Sequence, residues 1–390
     1  MISNGIYKRN IFSNALKYIY LFVLMLTSIS FVFPLFHSLI EEYQTYILTV
    51  FISLSFAILY LEKKIKIYTL LLCFLTISLL AVFYLKRGYS AGNFAMPIIL
   101  LLIIFLFSKM NFKKNDLKVV FLFLRIVYFS MVYQSISYAI GFWSRNDSYN
   151  QNTLAIMLFF PTAFFAVYNP FRNRILRHIF VVSCFAITLL LVFLLECRAV
   201  LVCTFVFITL YLMKLLHKHS FLVALFVVSI IVLGYALVSY SNRIEEFESI
   251  SLLNSFGKTL LSGRDYIWNT QMEHLKENTA NLLFGSGWMS DYEIENNFHS
   301  AFVLILVRHG LVGAIFFWLV LCVLLFKSTI AFKNNKDNVL WGFFCMFIVL
   351  ILYGFFETSF LWNMFMPLAV FPLLYLTNYR KRIENKLCSI

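Results

Sequence analysis

Charge is what this chain has least of. Only 13% of its 390 residues are Asp, Glu, Lys or Arg, about half the share of a soluble domain, which excludes an ordinary water-soluble globule. Cysteine is sparse and unpatterned. Cys73, Cys184, Cys197, Cys203, Cys322, Cys345 and Cys388 include no Cys-x-x-Cys pair and lie mostly within apolar runs, which argues against a disulfide framework or a thiolate metal centre. No internal repeat is evident. A small-residue cleavage site is missing after the first apolar run, so that run, behind Lys8, Arg9 and Lys17, reads as a retained span and not as a signal peptide.

Hydrophobic length is present in its place. The chain is 62% hydrophobic, with a mean hydropathy of +0.84. Its apolar runs match the roughly 20 residues a helix needs to cross the hydrocarbon core, and a helix satisfies its own backbone there. The expected fold is an all-α polytopic membrane protein, residues 1–390 forming a single integral membrane domain. Spans are read at 18–40, 43–61, 67–85, 91–107, 119–142, 152–168, 179–195, 199–216, 220–241, 299–326, 339–356 and 359–377, about twelve helices in all.

Sorting the charges by alternate loops orients this bundle. Of the 32 Lys and Arg, 22 fall on the side that carries both termini and eight on the other, with Arg125 and Arg308 inside apolar runs. Both termini are therefore expected in the cytoplasm. Four of the 18 acidic residues lie on the inner side and 14 on the outer, which leaves the sides at +18 and −6. The formal net charge of +14 is thus mostly topology. Clusters such as Arg172/Arg174/Arg177 and Arg380/Lys381/Arg382 read as anchors to anionic headgroups of membrane lipids. Nucleic acid is not an expected partner, because the aromatic residues sit in the spans and do not interleave with these clusters.

The long polar stretch 242–298 is the exception to all this apolar sequence. A loop of that length is too long for a mere connection and suggests a lid or binding element. Within it Ser262-Gly263 reads as a helix start, with Arg264, Tyr266, Ile267, Trp268, Met272 and Leu275 on an amphipathic helix to about Leu283. The stretch also fits a helix lying on the outer leaflet, with Trp268 and Trp288 as anchors. Gly285 and Gly287, in Phe284-Gly285-Ser286-Gly287-Trp288, allow a sharp turn or a close approach. No strand precedes them, so they are no dinucleotide fingerprint.

Other outer-side residues complete the candidate site. Glu196 and Arg198 share a very short turn between two spans, either as interfacial charges that reach the headgroups or as site residues with a partner. His299 opens the tenth span, as a cap or as a base, and Glu357 lies in the last outer turn. Two guanidinium groups, Arg198 and Arg264, match phosphate oxygens as fork donors. A neutral imidazole can take a proton from a sugar hydroxyl. Such a set suits displacement of a lipid-linked diphosphate, with arginines in place of a metal on the leaving group. A hard-cation alternative would use Asp291, Glu293 and Glu295, or Glu41 and Glu42, which also read as solvated acidic loops.

These segments resemble the bacterial O-antigen polymerases and O-antigen ligases. The resemblance rests on Glu196-Cys197-Arg198-Ala199-Val200-Leu201, Ser262-Gly263-Arg264-Asp265-Tyr266-Ile267-Trp268, Phe284-Gly285-Ser286-Gly287, and His299-Ser300-Ala301-Phe302-Val303-Leu304 followed by Gly310-Leu311-Val312-Gly313. It implies a membrane glycosyltransferase of GT-C-like type in the bacterial inner membrane, with a periplasmic active site and no cofactor or metal. A donor glycan on undecaprenyl diphosphate is implied, held at the diphosphate by Arg198 and Arg264, with His299 as general base. The acceptor would be a lipid-linked repeat unit or lipid A core, and a chain-length regulator is a further implied partner. Glu357 is similar to an acidic residue the family often has there. Two departures stand out: Cys197 replaces the usual Ser or Thr before the arginine, and Ser300 replaces the Asn that commonly follows the histidine. His309 is a second candidate base, about three turns inside the span. The wording of the Ser-Gly-Arg and Gly-Ser-Gly segments favours a polymerase over a ligase. A lipid-linked sugar transporter would require symmetric halves and charges near mid-membrane, whereas the charged set here is one-sided.

Overall fold

The computed structural model describes residues 17–26, 114–141, 151–213, 219–239, 264–285, 299–333 and 338–357, with single positions between 15 and 60 and between 369 and 376. The spans read at 43–61, 67–85, 91–107 and 359–377 lie wholly or largely outside these residues. So do Gly287, Trp288, Asp291, Glu293, Glu295, Glu41 and Glu42.

Every regular element among the described residues is helical. In chain order these are α1 (Lys17–Leu26), α2 (Lys114–Ala139), α3 (Gln151–Val167), α4 (Arg174–Leu194), α5 (Arg198–Leu212), α6 (Ser220–Ser239), α7 (Arg264–Glu277), α8 (Thr279–Phe284), α9 (Ala301–Lys333) and α10 (Asn338–Phe356). Four of them are long and apolar enough to cross a membrane: Asp116–Ala139, Arg174–Leu194, Ala301–Phe326 and Asn338–Phe356. The 19 residues of α10 reach about 28 Å at 1.5 Å per residue, close to the hydrocarbon thickness. The chain is a helical membrane protein.

Burial ranks the helices. In α10, 83% of the apolar stretch is buried inside the protein, against 22% in α4. The centre of the bundle is therefore α10, packed on α3, α5, α6 and α9. Close approach explains part of this. A Cβ on Gly342 of α10 would lie 2.4 Å from a Val167 methyl group, so only glycine lets α3 and α10 come this near.

Polar side chains bind the helices to one another where water is scarce. Thr162 of α3 pairs with Thr188 of α4 at 2.9 Å, Tyr128 of α2 donates to the Cys184 carbonyl at 3.0 Å, and Trp341 of α10 donates to the Leu210 carbonyl at 3.1 Å. Each such bond spares a buried donor the cost of standing alone. Around them an aromatic core runs through Phe121, Phe165, Phe180 and Phe171.

Two elements differ from the sequence reading. The amphipathic helix expected to run to Leu283 is broken at Asn278, whose side chain accepts from the Ala280 N–H at 2.8 Å and starts α8, a regular N-cap role for asparagine. The span read as continuous over 299–326 is interrupted at Gly310, where φ is 62° and ψ is −170°. Glycine alone takes that conformation without strain.

Candidate functional site

Five segments end or begin at one pole of the bundle: the start of α3, the α4–α5 turn, the start of α7, the residues before α9, and the end of α10. Alternating traverse of the bundle brings them there. Glu357 follows α10, with its N–H still bonded to the Tyr353 carbonyl at 3.0 Å, and it is the hub of the site. Its Oε1 receives Arg264 Nη2 at 2.9 Å and Asn152 Nδ2 at 2.6 Å. His299 Nδ1 stands 3.5 Å from the same oxygen, without hydrogen-bond alignment to any described partner.

The carboxylate side chain is 9% exposed and the guanidinium 16%. A charge removed from water to this extent is costly unless paired, and here each supplies the other's partner. With Nδ1 of His299 turned to Glu357, Nε2 is the ring nitrogen left for a reacting group.

Local structure explains how each side chain is presented. Arg264 is the first residue of α7, and one turn later Trp268 is fully buried, edge-on to Phe355 with ring centroids 5.5 Å apart. Phe355 also meets Phe302 of α9 at 5.9 Å, and Phe302 stacks on Trp318 at 4.5 Å. Trp268 thus pins α7 onto α10 two residues before Glu357. It does not act as an outer-leaflet anchor, the alternative that the sequence left open, because none of its surface faces lipid. Met272 and Leu275 continue the same buried face.

His299 has a φ of 45°, the left-handed turn that admits the chain to α9. Behind it Ser300, wholly buried, caps α9 by accepting from the Val303 N–H at 3.4 Å. Serine is a strong N-cap, so at this position it fixes the helix start next to the histidine.

The α4–α5 turn is equally constrained. Glu196 has a φ of 53° and is exposed, and Cys197 is 2% exposed. Cys197 precedes α5, and its thiol is not used as a cap. It donates instead to Asn152 Oδ1 at 3.2 Å. Arg198, the first residue of α5 and half-buried, is therefore carried on a turn that is bonded to the hub through Asn152. Of the charged pair read from this turn, Arg198 is half-buried and Glu196 is exposed.

Gly285 acts elsewhere, as a structural crossing. Its φ is 88°, and a Cβ there would lie 2.4 Å from the Arg308 carbonyl carbon and oxygen. Gly310 makes the reciprocal approach, 2.4 Å from the Leu283 carbonyl group. The two backbones touch where α8 meets the break in α9. His309 lies at this crossing, buried within the span, while His299 is the histidine that faces Glu357.

Asn152 is the residue that sequence reasoning missed. Its signal was the polar Gln151-Asn152-Thr153 at the start of an apolar run. No group of three or more His, Cys, Asp or Glu among the described residues could hold a metal ion, and the acidic loop residues of the hard-cation alternative lie outside those residues. Chemically, the assembly offers a cationic fork donor and an imidazole, both referred to one buried carboxylate. Comparison with family models, curated proteins and solved structures gives no match.

Proposed function

We propose that this protein is a membrane glycosyltransferase of the O-antigen polymerase type, joining undecaprenyl-diphosphate-linked oligosaccharide repeat units. The observation that supports this reading most strongly is the meeting of Arg264 and His299 on Glu357, from segments far apart in sequence, at 2.9 and 3.5 Å. In this reading the full bundle has about twelve GT-C-like spans, both termini are cytoplasmic, and the site opens to the periplasmic face of the inner membrane.

The reaction is a displacement at an anomeric carbon. His299 Nε2 takes the proton of an acceptor sugar hydroxyl. The hydroxyl oxygen bonds to the reducing-end anomeric carbon of the growing chain, and the bond from that carbon to the diphosphate breaks. The undecaprenyl diphosphate leaves with the electron pair, its charge held by Arg198 and Arg264. Glu357 Oε1 lies 3.5 Å from His299 Nδ1, which leaves Nε2 as the nitrogen that takes the proton.

A ligase that transfers finished glycan to lipid A core would use the same groups. A gel of surface polysaccharide from a strain deleted for this gene separates the two. Core bearing a single repeat unit marks a polymerase. Bare core, with long chains accumulated on the lipid carrier, marks a ligase. Bare core with single repeat units held on the cytoplasmic leaflet would instead point to a transporter and remove the proposal.

A further inference from the structure

Asn152 occupies a position for which the proposed chemistry has no direct task, yet it joins three segments at the pole. Its Nδ2 donates to Glu357 Oε1 at 2.6 Å. Its Oδ1 accepts from Cys197 Sγ at 3.2 Å, and its main-chain carbonyl accepts from the Tyr353 hydroxyl at 3.3 Å. The orientation of the amide is forced by chemistry. An ionised carboxylate only accepts, so the nitrogen must face Glu357 and the oxygen must face the thiol.

We propose that Asn152 is a positioning residue of the transferase site, coupling the carboxylate that holds Arg264 and faces His299 to the Cys197 turn that presents Arg198. This rests on the polymerase reading for what the site does, although the contacts stand without it. The two arginines come from different segments, the first residues of α5 and α7. The amide of Asn152 links those segments: one end holds the carboxylate that pairs with Arg264, the other holds the residue before Arg198. A diphosphate clamp depends on the spacing of its arginines, because guanidinium recognition of phosphate is directional, and residues that orient a binding group through hydrogen bonds typically change activity 10- to 100-fold when removed.

The test replaces the amide by an isosteric acid. In Asn152→Asp a carboxyl group faces Glu357 at hydrogen-bond distance. Two carboxyl groups this close share one proton, since both cannot ionise. The groups facing that pair are Arg264 from α7, His299 from before α9, the Cys197 thiol from before α5 and the Tyr353 hydroxyl from α10. With the shared proton in place the donor to Glu357 survives, and it is lost as pH rises. The pair holds its proton more tightly in the folded protein than in the unfolded one. Its contribution to stability is therefore present at low pH and lost as pH rises through the folded value.

Two readouts on purified full-length protein separate the possibilities. The first, thermal unfolding in detergent from pH 5 to pH 9, needs no substrate. Asn152→Asp is expected to fall away from wild type as pH rises, and a constant difference across the range overturns the contact and the proposal. The second is chain extension of lipid-linked repeat units in proteoliposomes. The activity of Asn152→Asp relative to wild type is expected to drop at least tenfold from low to high pH, and Asn152→Ala to lose about 10- to 100-fold at every pH, mostly in kcat. Wild-type extension by both variants, with the unfolding shift present, overturns the positioning role and leaves the polymerase reading intact. Wild-type protein that extends no chains overturns the polymerase reading and the role together, while the unfolding data still report the contact.

Discussion

Arg264 and Glu357 form an ion pair of 2.9 Å with little solvent around either group. They stand 93 residues apart, one at the start of a loop helix and the other past the end of the central span. The pair therefore ties α7 to the end of α10, at the proposed diphosphate site. In the proposed reading substrate phosphate and Glu357 share one guanidinium, whose five donors permit both.

Breaking this pair from one side is expected to be costly. Glu357→Ala leaves a largely buried arginine without its carboxylate, a loss of about 3–5 kcal/mol. Replacing both, as Arg264→Met with Glu357→Gln, removes the uncompensated charge and should recover much of that stability. Thermal melts of the single and double variants check this, and the two single effects summing in the double would contradict the pairing.

Trp268 tests how α7 is docked. Trp268→Ala empties a fully buried site against Phe355 and should cost about 3–5 kcal/mol, with loss of chain extension because Arg264 lies one turn away. Trp268→Phe keeps an aromatic edge and should retain most activity. Limited proteolysis of the loop together with activity assays would read both effects.

The glycine crossing should tolerate no side chain. Gly285→Ala and Gly310→Ala each place a Cβ 2.4 Å from carbonyl atoms of the facing segment and each requires a positive φ. Backbone cannot move aside as a flexible side chain can, so both variants are expected to reach the membrane at severely reduced levels. Quantitative blotting of membrane fractions measures it. Gly313→Ala would place its Cβ 2.3 Å from the His309 Cβ, an atom fixed to the backbone, and is expected to be lost from the membrane as well.

Chelation should have no effect. A leaving group held by Arg198 and Arg264 needs no divalent cation, so chain extension in excess EDTA is expected to match the untreated reaction. A loss restored by magnesium or manganese would contradict this use of the arginines.

The helical architecture was legible in the sequence because hydrophobic length acts through the bilayer and needs no tertiary context. The runs at 152–168, 179–195 and 339–356 coincide with α3, α4 and α10 to within a few residues. Arg264, His299 and Glu357 were singled out by their resemblance to the polymerase and ligase segments, but their meeting on one carboxylate oxygen was not legible, because sequence carries no sign of which distant segments converge. Asn152 was not singled out, since a single amide at a helix start fits a cap, an interface or a site equally well. Nor was the break at Gly310, because glycine within an apolar run does not reveal whether another backbone approaches it. The Asn278 cap was visible in principle, but the apolar spacing of Trp268, Met272 and Leu275 favoured one longer helix. Cys197 illustrates a subtler limit. Its thiol reads as a small core group, and only the position of Asn152 makes it a donor.

The central claim is that Arg264 and His299 act together on one lipid-linked substrate. The most direct measurement is chain extension by purified protein in proteoliposomes supplied with undecaprenyl-diphosphate-linked repeat units, comparing wild type, Arg264→Ala and His299→Ala at matched folded protein. Wild type should build polymer. The histidine variant should bind donor but fail to extend it, losing at least 100-fold in kcat, and the arginine variant should lose donor binding and extension together. Full-length polymer from both variants would contradict the account.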